Sequence, residues 1–461
     1  MKRISVLFIS LGLIAFGLGC GREKDFLDTK PNEVLFTISS LNDCRTLLNN
    51  ESVFNNNDVA FTTVSADEFY VTDDEWANCP SAERNSYVWA KDLFSIQDIV
   101  FDWGDGYRRI YYSNAILDAL PGFKDDPLGD AEFDRIKGSA LFFRAYSYYS
   151  LAQIFTLPYD AATAVSLPGL PLRLNANFNE KVDRSTIMQT YIQIIADLEA
   201  AESMLPATSD FPTLPNKVAA KAMLARVYLT MGDFANAWKY ADETLMAKNS
   251  IFDYNKLVIP TTNFLTVNSQ YPLSEDIFHI VQSGTNISRT RAAIVDSTLY
   301  KQYDVNDLRK TAFFQTTGGQ IRFKGSYEFK LINFRFSGLA TDEILLIRAE
   351  CNARLARVGD AMTDLNKLLI NRFKTGFFVP LTAGDEETAL KLILNERKKE
   401  LIFRGTRWAD LRRLGKDPRF ATSISRTVKG TVYTLPVGDK RYALSIPLME
   451  VQLTGVAQND R

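Results

Sequence analysis

The sequence predicts a mainly α protein: paired helices form a tetratricopeptide-like scaffold, and an irregular, loop-rich lobe with a few short strands folds against it. Three observations lead there. Apolar residues recur with a period near 3.6 through two blocks, roughly 98–250 and 341–415. Each block holds a helix–turn–helix unit with small residues where two helices would cross. The segments between them are richer in Asn, Thr, Gly and aromatic residues.

The chain begins with Lys2 and Arg3, an apolar run over 4–19, and Cys20 followed by polar residues. That run is too short and too rich in glycine (Gly12, Gly17, Gly19) to span a membrane, but it suits an export signal. Small Gly19 gives a lipoprotein peptidase access to the bond before Cys20. Residues 1–19 therefore read as a lipoprotein signal peptide, with Cys20 as the lipidated first residue of the mature chain. An ordinary secretory leader with a chance cysteine is the alternative.

Next come the scaffold helices. Ile136, Ala140, Phe143 and Leu151 share a stripe, while Leu141, Phe142, Tyr146, Tyr148 and Tyr149 cover the other faces, so this helix is buried on most sides. Thr186 and Gln189 have the spacing of a capping box ahead of a helix that stops near Leu205 and Pro206. Val218, Ala222, Ala225 and Leu229 stripe one helix; Gly232 and Asp233 form a turn; Phe234, Ala237, Ala241 and Leu245 stripe the next. The pattern returns with Ile344, Ile347, Cys351 and Leu355, a Gly359–Asp360 turn, then Ala361, Leu365, Leu368 and Leu369. One such pair cannot bury its own face, which is the requirement for tetratricopeptide-type stacking. The predicted organisation is one domain over 20–461. Its scaffold spans about 30–250 and 341–415, a loop-rich lobe about 50–97 and 251–340, and a terminal segment covers 416–461. Residues 251–267 and 321–336 would supply the strands.

Composition excludes several function classes. A formal net charge of −2 leaves no electrostatic footprint for nucleic acid. His279 is the only histidine, which removes multi-histidine metal sites, and its place in the alternating segment 276–281 reads as a strand with a structural histidine. No phosphate-cradling loop, nucleophile elbow or paired-cysteine metal motif is present. Cys351 falls on an apolar stripe and reads as core, while pairing of Cys44 with Cys79 stays open.

A set of landmarks then recurs in order: Asp25-Phe26-Leu27-Asp28 with Pro31; Trp103, Tyr107, Ile110 and Asn114; Arg144-Ala145-Tyr146; Asp197-Leu198 with Leu205-Pro206; Arg348-Ala349-Glu350. Asn395-Glu396-Arg397-Lys398-Lys399-Glu400 follows and runs into Gly405, Arg407, Asp410, Leu411 and Arg413, with Ile446-Pro447 and Gln458-Asn459 at the close. With them the chain resembles the SusD/RagB family of outer-membrane nutrient-binding lipoproteins of the Bacteroidetes. Arg404 departs from the glutamate usual before that glycine. The resemblance implies a non-enzymatic, lipid-anchored protein on the cell exterior that captures a glycan and delivers it to a SusC-like TonB-dependent channel. It implies no cofactor, no metal and no catalytic residue.

Sugar recognition calls for flat apolar faces beside carboxylates and carboxamides. Asp67, Tyr70, Asp73, Asp74 and Trp76 supply that mix in a stretch without helical period, and Phe323 and Tyr327, near Arg322 and Lys324, form a second candidate set. Alternatively Phe69 and Trp76 pack the loop onto the scaffold. Trp103, Trp238 and Trp408 read as packing, and Trp89 is undecided. The acids over 67–74 do not have the spacing of a calcium loop. Glu396, Arg397 and Glu400 read as an ion-pair network that pins a helix. Two competing functions stay open: a tetratricopeptide-type scaffold for proteins or peptides, and a lipid-anchored glycosidase using a carboxylate pair such as Asp73 with Glu75.

Overall fold

The computed structural model describes residues 38–257, 274–328 and 334–461. Cys20, the leader and the Asp25–Pro31 landmark lie outside the described residues, as do 258–267 and 329–333 of the expected strand-bearing segments.

The elements used below are, in chain order, α1 (Leu41–Leu48), β1 (Phe69–Tyr70), α2 (Asp73–Ala77), α3 (Ser81–Tyr87), α4 (Phe101–Ala119), α5 (Gly129–Phe155), α6 (Ile187–Met204), α7 (Lys217–Met231) and α8 (Phe234–Ala247). Then come β2 (Asp276–Phe278), β3 (Ile294–Val295), β4 (Phe314–Thr317), β5 (Gln320–Phe323), α9 (Thr341–Arg354), α10 (Val358–Leu369), α11 (Glu386–Glu400) and α12 (Thr406–Leu414). The closing hairpin has arms β6 (Ile424–Val428) and β7 (Thr431–Leu435), and α13 (Leu448–Thr454) follows. Helices α4 to α10 stack each on the next, and α11 packs against α9. The predicted mainly α helix-pair scaffold is the observed one. Every described strand belongs to a two-stranded antiparallel sheet.

Helix α5 is the axis of the scaffold, with every residue from Gly138 to Phe155 buried. Neighbouring helices meet it closely: a Cβ on Gly106 of α4 would lie 2.8 Å from Leu151. The landmark residues explain themselves here. Arg144 of α5 grips Asp197 of α6 through two bonds of 2.8 and 2.7 Å and donates to Asn114 of α4 at 2.9 Å, so three helices share one guanidinium. At the other end of the chain, the Asn459 amide donates to Phe155 O and Leu444 O, tying the C-terminal segment to the end of α5.

Thr186 and Gln189 form the expected capping box, at 3.1 and 2.8 Å. Gly232 ends α7 with φ +81° and Asp233 caps α8, as the first helix pair requires. The second pair differs. Gly359 and Asp360 sit inside the first turn of α10, and the turn is made by residues 355–357 with Ala356 at φ +61°. The acidic side chain of Asp360 favours that position, at the positive end of the helix dipole. Leu355 is accordingly 39% exposed instead of joining the stripe.

Cys44, Cys79 and Cys351 are all free, buried thiols. The expected strand over 276–281 is broken at His279, between β2 and a two-residue strand at Val281–Gln282.

A seam of buried ion pairs joins the lobe to the last scaffold helices. Arg309, fully buried, bonds Asp307 at 2.7 Å, Glu396 at 2.7 Å and Glu400 at 2.8 Å. Arg372 continues it to Glu275 and Glu400, both at 2.8 Å. Arg397 reaches Asp410 at 2.9 Å, and Arg413 bonds Asp410 and Glu350. Glu396 and Glu400 are thus satisfied members of a structural network. Arg404 belongs to it as well: it pairs with Asp342 at 2.7 Å and lies 4.1 Å from the Tyr327 ring centre.

Candidate functional site

The candidate residues fall into an interior group and a rim group. Asp67 is half-buried and tied to the scaffold, so it goes with the interior group. Its carboxylate takes bonds from Arg407 (2.6 and 2.9 Å) and Lys398 (3.0 Å); these cations outweigh its burial and hold its pKa below the usual carboxylate range. The next residue, Glu68, has no cation bonded to it among the described residues and accepts the Phe403 N–H at 2.8 Å, so burial pushes its pKa up to about 7.

Phe323 and Tyr327, the second candidate set, are also interior, each 5% exposed. Phe323 stacks on Phe403 at 4.8 Å. The Tyr327 hydroxyl bonds Glu275 at 2.7 Å and Asp342 at 3.1 Å. Neither ring offers a face to solvent in this arrangement. His279 is buried between Asp276 (2.6 Å) and Glu328 (3.1 Å), and these carboxylates raise its pKa to about 9 against the desolvation that would lower it. It has the partners of a structural histidine.

Tyr70, Asp73, Asp74 and Trp76 stand on the rim. Residues 73–77 are helical, contrary to the reading of 67–76 as a stretch without helical period; five residues are too few to display a period. Thr72 caps α2 by accepting the Glu75 N–H at 3.2 Å. No residue of α2 is buried. Tyr70 is 47% exposed, because it alternates outward on β1 while Phe69 turns inward against Tyr87 and Phe403. Trp76 is partly exposed, anchored by its indole N–H on Arg84 O at 3.2 Å.

Three other parts of the chain complete this rim. Strand β3 pairs with β1 and sets Ile294 opposite Tyr70. The loop before β3 is fastened by buried Glu83 of α3, which accepts the N–H groups of Asn286 (3.1 Å) and Ile287 (2.8 Å), and by Arg289, which pairs with Glu75 at 3.4 Å. The tip of the closing hairpin comes from far along the chain: Lys429, at φ +50°, donates its N–H to Asp73 at 2.7 Å. Its ammonium lies 5.8 Å from the Trp76 ring centre, with the Arg84 guanidinium at 5.6 Å.

Sequence reasoning found the aromatic and acidic half of this rim and missed Arg84, Arg289 and Lys429. Lys429 is separated from Trp76 by most of the chain, so no local spacing could reveal it. The remaining tryptophans are largely structural: Trp103 and Trp408 are buried, Trp238 is covered by Arg357 at 4.2 Å, and Trp89 is buried with its N–H on Ser65 O at 2.9 Å.

Among the described residues no group of three or more His, Cys, Asp or Glu is arranged to hold a metal ion. No helix among them is long and apolar enough to cross a membrane.

A sequence profile described as "Starch-binding associating with outer membrane" matches residues 25–229, and the profile of the SusD family matches 226–442. The SusD-like protein P2 of Formosa agariphila is 27% identical over 374 residues, 68% of this chain and 71% of that protein. A SusD superfamily structure from Bacteroides thetaiotaomicron superposes with a TM-score of 0.74 at 21% identity, covering 92% of this chain and all of that one. A structure described as a laminarin-binding SusD-like protein does so at 0.64 and 18% identity, over 90% and 97% of the two chains.

Proposed function

This chain belongs to the SusD family, and from that premise we propose that it is a non-catalytic glycan-binding lipoprotein. It captures an oligosaccharide or polysaccharide nutrient outside the cell and delivers it to a SusC-like TonB-dependent channel in the outer membrane. Residues 1–19 serve as its leader, acyl chains on Cys20 hold it to the membrane, and 20–461 act as one domain.

The observation that carries the binding reading is the rim around Trp76. Two aromatic side chains, Tyr70 and Trp76, stay accessible beside Asp73, Asp74 and a ring of cations, on a protein whose other candidate aromatics are interior. An open ring flanked by hydrogen-bonding groups suits the C–H face and hydroxyls of a sugar. The laminarin-binding neighbour supports the same class of ligand. The Asp73–Glu75 pair gives glycosidase chemistry little footing, because Asp73 holds the Lys429 N–H and Glu75 pairs with Arg289.

Calorimetric titration of the purified protein with a panel of oligosaccharides and peptides tests this. One sugar class should bind saturably, and Trp76→Ala should abolish binding while leaving the melting curve in place. Binding of peptides alone would favour a protein-binding scaffold, and release of shorter sugars would overturn the non-catalytic assignment. Co-purification of a large outer-membrane channel with the protein checks the delivery step.

A further inference from the structure

We infer that the groove between α1, the start of α5 and the 206–215 loop is a second glycan-contact site, one that takes a neutral, hydroxyl-rich sugar and adds to the hold on a long chain. Its ligand class rests on the reading of this protein as a glycan binder, and none of its lining residues belongs to the Trp76 rim.

The groove encloses about 580 Å³, within the range of roughly 300–1,000 Å³ typical of small-molecule sites. The covered part of its lining is apolar, with Leu48 and Pro215 buried and Leu214 half-buried. Phe211, the aromatic residue of the lining, is 64% exposed.

The loop that carries Phe211 is held from several directions, so a fixed backbone displays the ring. The Lys217 N–H closes its ends on Pro206 O at 2.9 Å, the Leu214 N–H returns to Phe211 O at 3.0 Å, and the Asn216 amide donates to Ser209 Oγ at 3.1 Å. From outside the loop, the His279 N–H donates to Pro212 O at 2.7 Å and the Asn55 amide to Thr213 O at 3.0 Å. A wall already fixed loses little conformational freedom when a ligand arrives.

The charges of the groove nearly cancel. Arg135 is taken by Glu132 through bonds of 2.7 and 2.5 Å, while Arg45 bonds Asn42 and lies 3.7 Å from the same Glu132. Glu51 and Asp210 are exposed and have no ion pair or side-chain hydrogen bond among the described residues, and the same holds for the Asn49 amide and the Thr208 hydroxyl. Two arginines against the three carboxylates Glu51, Glu132 and Asp210 leave the lining at −1, which gives a polyanion no foothold. What stays free is a set of hydrogen-bond acceptors, and every sugar hydroxyl can donate. Acceptors beside one open ring face suit the hydroxyls and the C–H face of a neutral pyranose. An extended peptide would call for a strand edge, and no strand lines the groove.

One ring and a few exposed hydrogen bonds hold a short sugar at about 1 mM or weaker. Such a site escapes a calorimetric titration with short oligosaccharides. On a polymer it acts as an additional point of attachment, which raises the overall affinity.

Electrophoresis of the purified protein through native gels cast with laminarin, starch or xylan, each read against a polymer-free gel, measures that affinity. Phe211→Ala should weaken the retarding polymer about three- to tenfold, the weight of one ring face. The double variant Glu51→Gln, Asp210→Asn should weaken it as well. Both should keep the melting temperature and the calorimetric affinity for short oligosaccharides unchanged. In Trp76→Ala, about 20 mM of the matching hexasaccharide should slow hydrogen exchange across 206–215. Polymer affinity indifferent to both groove variants, with no slowing of exchange, would overturn the inference and leave capture at the Trp76 rim standing. Slowing by a cationic chitosan oligomer and by no neutral sugar would overturn the ligand class. If no polymer retards the protein, the inference and the reading beneath it both fall.

Discussion

The seam around Arg309 and the rim around Trp76 use the same residue types, arginine, carboxylate and aromatic ring, yet they differ in what completes each charge. In the seam, Arg309 is enclosed and meets three carboxylates within 2.8 Å. At the rim, Arg84 and Lys429 stand by a partly exposed indole, and neither makes an ion pair among the described residues. There the Arg84 guanidinium is left to the Ala77 carbonyl and Lys429 is exposed, whereas Arg309 is shut off from solvent. Closure of charge, more than residue type, separates groups that hold the fold from groups free to meet a ligand.

The strongest way to break this comparison is to open the seam. Arg309→Met leaves Asp307, Glu396 and Glu400 buried around an uncharged side chain, and should cost about 3–5 kcal/mol of stability in a denaturant titration. A loss no larger than that of a surface change would mean that the seam tolerates unpaired charge.

His279 tests the same idea by titration. Its pKa is raised to about 9 from 6.5 because two carboxylates favour the protonated ring. A raised value means the folded state holds the proton more tightly, so the stabilisation is complete below pH 6.5 and is lost as pH climbs through 9. The stability gap between the protein and His279→Gln should therefore narrow steadily from pH 6.5 to 9, measured by thermal melts at matched ionic strength.

A neutral contact gives the intermediate case. Thr186→Ala removes the side-chain half of the α6 capping box and should cost about 0.5–2 kcal/mol. The rim should yield least: Lys429→Gln is expected to change stability by no more than about 0.5 kcal/mol, as an exposed substitution does.

Much of the scaffold was legible because its signals are local. The Thr186–Gln189 capping box, the Gly232–Asp233 turn and the all-round apolar character of α5 each sit within a few residues. Signals that depend on distant partners were not. Tyr327 looks like a binding aromatic until Glu275, Asp342 and Arg404 arrive from elsewhere to bury it. The turn at Ala356 uses a left-handed conformation that alanine seldom takes, whereas Gly359 carries the stronger local turn signal. The rim was half read: Tyr70, Asp73, Asp74 and Trp76 are adjacent in sequence, whereas the hairpin that brings Lys429 to them is a tertiary event.

The most direct test of the central claim is to measure melting temperature and oligosaccharide binding on the same preparation of Trp76→Ala. The account predicts a melting curve close to that of the unmodified protein together with loss of saturable binding. A variant that melts much earlier, or that binds as well as its parent, would place Trp76 with the fold and not with the ligand.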